Sequence, residues 1–366
     1  MGRLFEKSEI NGTVMQNRVV RSATFEGMAD EEGYPTAGLT DLINDLACGG
    51  VGLIITGHTF VQKEGRATPF QLALDRDECV SPIKKMTDSV HRNGGKIFVQ
   101  LSHAGAFARP CTERLTVLSV SETEGLSGVS CREMSAAEIV DIVCCFGSAA
   151  RRAKEAGFDG IELHAAHGYL FSQFLSPAFN HRTDAYGGST KNRVKALVET
   201  VREIRNSVGK DYPLVVKMNG KDYIEGGMHE GESVMIGKIL AEEGTDGIEV
   251  SGGLLTSRTK GPSRRRIESE EQEAYFSREA RMIKKETGLP VILVGGIRSM
   301  AVAERIVEEG AADFIAMSRP FIREPDLVNR WKNGDCRKSA CTSDNLCFRP
   351  TLTGKGLFCV SKSRER

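Results

Sequence analysis

Neither sign of charge predominates in this chain: across 366 residues, 49 Lys and Arg balance 49 Asp and Glu, for a formal net charge of zero. Neutrality removes the global field that draws proteins to nucleic acid or to an anionic membrane surface, so neither is an expected partner. Long apolar runs are missing too, and no window approaches the roughly 18 uninterrupted apolar residues of a membrane span. The opening Met1-Gly2-Arg3-Leu4-Phe5-Glu6-Lys7 has neither an apolar stretch nor a small-residue cleavage site, so no signal peptide is expected. A cytoplasmic protein is the expectation.

Apolar residues make up 40% of the chain, enough for a large core. Length alone would allow two domains, yet α/β barrels of this size form one. Of ten cysteines, Cys48, Cys79, Cys111, Cys131, Cys144 and Cys145 are scattered, some in apolar stretches; most are expected to be reduced structural thiols. The other four, Cys336, Cys341, Cys347 and Cys359, crowd the C-terminus.

One transition recurs: a helix end, a glycine, then an apolar strand. It occurs at Ala47–Ile55, Glu155–Leu163, Glu243–Val250 and Glu309–Ala316. The glycine suits a left-handed helix cap, and the run behind it reads as a buried parallel strand. Asn17–Ser22, Lys96–Ser102, Leu214–Asn219 and Pro290–Gly295 complete a set of eight. Helices are expected between them, among them Ser135–Ala156, opening on the capping box Ser135-x-x-Glu138, and Lys191–Val208. The predicted fold is α/β, a (β/α)8 TIM barrel, with a doubly wound open sheet as the alternative. Chemistry in such barrels sits at the C-terminal ends of the strands.

Those ends are unusual here. The fourth strand leads through His164-Ala165-Ala166-His167-Gly168-Tyr169. Strict alternation would separate the two histidines, so the chain must leave the strand at Ala165 or Ala166 for both to converge. Two imidazoles could then hold a carbonyl beside a phenol acting as acid; satisfied loop histidines are the plainer alternative. Lys217 lies in an apolar strand and needs an anion, either Glu162, Glu249 or a cofactor that gains negative charge. Gln100 also wants an interior partner. The last two strands end in Gly295-Gly296 and Ser318-Arg319, suited to a phosphate.

The run Gly160–Pro177, continued by Asn180-His181-Arg182-Thr183-Asp184-Ala185-Tyr186-Gly187-Gly188-Ser189 and Asn192-Arg193, resembles the signature of the Old Yellow Enzyme family of NAD(P)H:flavin oxidoreductases. The likeness covers residues 1 to about 332 and points to a short form related to the barrel domain of 2,4-dienoyl-CoA reductases. It implies FMN in the barrel mouth. Ser22, Ala23 and Thr24 match flavin-edge positions, Gly57 and Gln100 further contacts, and Lys217 the support for the reduced anion. Gly295, Gly296, Ser318 and Arg319 match the phosphate end. The implied reaction takes hydride from NADH or NADPH and passes it to an enone or dienoyl-type small molecule. In it His164 and His167 bind the carbonyl and Tyr169 donates the proton. An FMN-dependent dehydrogenase or demethylase feeding a protein partner is the alternative, and a barrel without catalysis or without flavin the outsider.

The sequence departs from that family in three places. Near Thr24 and Glu26 some relatives carry cysteine or tyrosine. Longer relatives add an FAD/NAD(P)-binding module and an iron–sulfur cluster, and with the chain ending at Arg366 that module is not expected. Residues 333–366 are read as a tail packed on the barrel, with Asp344 standing where a middle cysteine belongs. An iron–sulfur cluster or zinc at Cys336, Cys341, Cys347 and Cys359 is therefore not expected, and the site residues include no metal ligand. Lys260-Gly261-Pro262-Ser263-Arg264-Arg265-Arg266, after the sixth strand, is read as a solvated basic loop, with an anionic substrate handle as the sharper alternative. A homo-oligomer is expected.

Overall fold

The computed structural model describes residues 2–109, 117–124 and 130–364, which leaves Cys111 outside the described residues. Strands and helices alternate as β1 (Val19–Arg21), α1 (Ala37–Cys48), β2 (Leu53–Phe60), α2 (Val80–Arg92), β3 (Ile97–Ser102), α3 (Ala136–Glu155), β4 (Gly160–Ala165) and α4 (Lys195–Val208). They continue as β5 (Leu214–Asn219), α5 (Glu230–Glu242), β6 (Gly247–Ser251), α6 (Ser277–Thr287), β7 (Val291–Val294), α7 (Met300–Glu308) and β8 (Phe314–Met317). The eight strands pair in parallel and close, β8 meeting β1 with Ile315 opposite Val19. The barrel is the predicted one, and the open sheet is excluded.

Local chemistry sets these boundaries. Gly50, Gly157, Gly244 and Gly310 all have positive φ, from 67° to 87°, the reversal expected between helix and strand. Ser135 and Glu138 form the expected reciprocal box at the start of α3. The helix expected over Lys191–Val208 is instead two segments, Thr190–Arg193 and α4, which meet at Val194.

Apolar side chains fill two layers. Val20, Leu53, Ile55, Phe98, Val215, Ile292, Phe314 and Ala316 pack inside the barrel. Ile10 and Met15, from the hairpin Ser8–Ile10/Thr13–Met15, join this layer and plug the N-terminal end. The larger layer lies between barrel and helices. Nine of the ten cysteines fall among the described residues. Cys79 and Cys131 are buried as expected, but Cys48 and Cys144 are exposed on the outer faces of their helices, so packing does not account for them.

The segment after residue 332 runs across the C-terminal face. Ser339 accepts from and donates to Arg298, Arg266 donates to the Ser343 carbonyl, and Asn345 bonds Ser263. No helix among the described residues is long and apolar enough to cross a membrane.

Candidate active site

β4 ends at Ala165, as convergence of the two histidines requires, and His167 then takes a left-handed φ of 64°. The turn brings the His164 and His167 rings to 5.4 Å between centroids, with Tyr169 4.8 Å from His164. His167 is held on both sides, its Nε2 2.7 Å from Ser251 Oγ and its backbone N–H on Asn219 Oδ1. His164 Nδ1 is buried and has no partner among the described residues.

Burial pushes both imidazoles well below the usual histidine range, and Lys217 adds to it; His164 is lowered further by His167. Both rings are therefore neutral and offer N–H groups without charge. Burial pushes the Tyr169 phenol up to about 12, so it keeps its proton at neutral pH.

A fourth group joins them that sequence reasoning missed. Ile55 pairs with Phe98 but His58 pairs with Gln100, so one extra residue enters β2. By simple alternation from Leu53 and Ile55, His58 would face outward; the bulge turns it inward. Its Nε2 lies 3.4 Å from Tyr169 Oη, and its ring stacks on Phe25 at 5.1 Å and 11°. Glycine inside a strand pattern, at Gly57, was the available signal.

Deeper in the barrel lies a polar cluster. Lys217 Nζ donates to Glu249 Oε1 and to Ser22 Oγ, both at 2.8 Å, and Ser22 Oγ donates to Glu249 at 2.6 Å. Gln100 Nε2 donates to Glu162 Oε1 at 2.6 Å. The remaining oxygens, Glu162 Oε2 and Glu249 Oε2, are buried without a donor. A single proton on Glu162 shared with Glu249 closes both, and the cluster is then neutral. Burial first, then the Glu249 charge, raises Glu162 well above the carboxylate range.

This gives a stability prediction. A raised carboxyl contributes fully below its unfolded value of about 4.3 and loses that contribution as pH climbs through the folded value, by about 1.4 kcal/mol per unit. Glu162→Gln keeps the acceptor for Gln100 and a donor for Glu249 but cannot titrate. Urea denaturation should show it gaining on the parent protein as pH rises; parallel pH profiles would rule out the shared proton.

The remaining predicted positions form an arc over β1, β2, β7 and β8. Thr24 Oγ1 lies 2.7 Å from Ser318 Oγ and 2.9 Å from the Ser22 carbonyl. Ala23 is half-buried against the inner layer. Gly57 donates its N–H to Glu26, and a Cβ there would fall 2.2 Å from Glu26 Oε2. Glu26 also pairs with Arg21 at 2.9 Å, and both side chains are buried. Gly295 and Gly296 have φ of 146° and 74°, and a Cβ on Gly296 would strike the Tyr275 ring at 2.6 Å. Arg319 is buried, its Nη1 2.7 Å from both the Arg264 carbonyl and Asn345 Oδ1. Arg264 packs its guanidinium on Tyr275, Tyr223 and Phe276 and is not a free handle, whereas Lys260, Arg265 and Arg266 are exposed.

Three tail cysteines, Cys341, Cys347 and Cys359, line one small cavity with Asp344, while Cys336 is exposed elsewhere. Asp344 is committed to Thr342, Ser361 and the Leu346 N–H. No group of three or more His, Cys, Asp or Glu among the described residues is arranged to hold a metal ion.

Residues 3–337 match the NADH:flavin oxidoreductase / NADH oxidase family. The chain belongs to that family. It is 38% identical over 349 residues to an NADH oxidase of Thermoanaerobacter brockii, covering 94% of this chain and 53% of the relative. The NADPH dehydrogenase of Bacillus subtilis is 34% identical, with 88% and 92% covered. A 2-naphthoyl-CoA reductase complex superposes with a TM-score of 0.89 at 26% identity, over 98% of this chain and 56% of that one. An Old Yellow Enzyme homologue from Zymomonas mobilis gives 0.78 at 25%, over 93% and 95%. The chain thus spans about half the length of some relatives and nearly all of others.

The NADH:flavin oxidoreductase family binds FMN, and the residues here suit that group. Ser318, Arg319 and a backbone path open only to glycine at Gly296 suit a phosphate, and the partnerless His164 Nδ1 sits in the same mouth.

Proposed function

We propose that this protein is an FMN-dependent NAD(P)H oxidoreductase of the ene-reductase type, acting on the activated C=C bond of an α,β-unsaturated carbonyl compound. The observation that carries the reading is the convergence of His164, His167 and Tyr169 at one strand end. Ser22, Ala23, Thr24, Gly57, Gln100 and Lys217 would hold the ring system of FMN, and Gly295, Gly296, Ser318 and Arg319 its phosphate. The chemistry supplied by bound FMN is hydride transfer, the hydride coming from NADH or NADPH.

The chain's own residues do the rest. His164 and His167 donate N–H bonds to the substrate oxygen, which gathers negative charge as hydride reaches the β-carbon. Tyr169 Oη gives its proton to the α-carbon. Residues 1–332 would serve as the FMN-binding barrel and 333–366 as a tail over its mouth.

Anaerobic reduction by NADH or NADPH, followed by reoxidation with cyclohexenone, dienoyl thioesters and steroid enones, tests this directly. At least one alkene should reoxidise the protein and appear saturated in the products. Reoxidation by none of them, with turnover only on amine or ether donors, would favour the dehydrogenase reading, for which the likeness to a histamine dehydrogenase (TM-score 0.87, 26% identity) is the support.

A further inference from the structure

The bulge in β2 delivers His58 to the proton donor rather than to the carbonyl site. His58 Nε2 is the hydrogen-bond partner of Tyr169 Oη, at 3.4 Å, and the rings lie 5.3 Å apart at 51°. Phe25 stacks nearly parallel to the imidazole, which holds its plane. The residue is half-buried with its Nδ1 shielded, and loss of solvent lowers the imidazole to about 4, so it is neutral and carries one N–H.

Placing that hydrogen is a matter of partners. Nδ1 is shielded and has only the residue's own carbonyl within reach, in poor alignment. A hydrogen there would be a weakly satisfied donor, while a hydrogen on Nε2 meets the phenolic oxygen. The phenol then accepts from His58, and its own O–H is left to point into the mouth.

We propose that His58 is a positioning residue for Tyr169, its Nε2–H aiming the phenol proton at the substrate and stabilising the phenolate left behind. The proposal rests on Tyr169 being the proton donor. In the step, the Tyr169 O–H bond breaks and a C–H bond forms at the α-carbon. The electron pair stays on the phenolic oxygen, and solvent later restores the proton. The hydride at the β-carbon traces to NADH or NADPH, so the alkene gains two hydrogens and two electrons. His58 keeps its proton throughout and remains neutral.

A hydrogen bond to a charged group is worth enough to change the alkene step by about 10- to 100-fold. Stopped-flow reoxidation of reduced holoenzyme should show that loss in His58→Leu, with enone binding and reduction by NAD(P)H unchanged. His58→Gln, which carries an N–H near the Nε2 position, should recover most of it. In a Tyr169→Phe background, His58→Leu should cost nothing more. Nitrogen-15 NMR of histidine-labelled holoenzyme, with His58→Gln for assignment, should report the Nε2–H tautomer. Equal losses in both backgrounds, or an Nδ1–H tautomer, would overturn the proposal. If Tyr169→Phe alone leaves alkene reduction intact, it is the assignment of the proton donor that fails; the NMR result stands apart from that.

Discussion

Tyr169→Phe should lower the rate of alkene-dependent reoxidation by about 100- to 10,000-fold, the range of a positioned general acid, while leaving reduction by NAD(P)H intact. The split follows from where the phenol stands. Its oxygen meets His58, its ring lies against His164, and among the described residues it has no hydrogen bond to the polar cluster beneath, so its loss should not disturb the groups expected to hold the cofactor. The ring itself stays, packed with Ala106 and Phe107, so folding should be spared. Rapid mixing resolves the two half-reactions separately. Equal slowing of both would place Tyr169 in cofactor binding, and slowing of neither would remove it from the chemistry.

Much of this centre was legible in the sequence because strand periodicity allows His164 and His167 to converge only if the chain turns at Ala165 or Ala166, and small residues stand there. The glycines before β2, β4, β6 and β8 were equally readable, since a left-handed residue ends a helix that way. His58 was not legible, because a one-residue bulge reverses the face of every side chain beyond it. The exposure of Cys48 and Cys144 also escaped composition, which gives no helix face by itself. The partner of Lys217 stayed open between two carboxylates; the β5–β6 register, which sets Lys217 opposite Glu249, decides it. The basic run Arg264–Arg266 looked uniform, yet Arg264 is drawn onto the rings of Tyr223, Tyr275 and Phe276, which lie outside the run.

Lys217→Met should be the most damaging change to the fold. Lys217 is the cation of a buried pair, and its side chain and that of Glu249 are almost wholly shielded from water. Burial, the largest influence, would raise Glu249; the Lys217 charge together with hydrogen bonds from Glu162, Lys217 and Ser22 outweighs it and holds the carboxylate below its usual range. A depressed carboxylate stabilises above its unfolded value and loses that contribution as pH falls through the folded one. Without Lys217 the sign reverses: two carboxyl groups share the cluster with no cation, and the charged form becomes the costly one. Breaking such a pair costs about 3–5 kcal/mol, a large part of the roughly 5–15 kcal/mol available to a domain. The penalty should shrink as pH falls, because protonation of Glu249 removes the stranded charge. Lys217→Met with Glu249→Met should be much less damaged than Lys217→Met alone, since an apolar pair replaces a buried ion pair at little net cost. Denaturation of the two variants across pH separates this account from simple loss of packing, which would make the double variant worse and leave the penalty flat with pH.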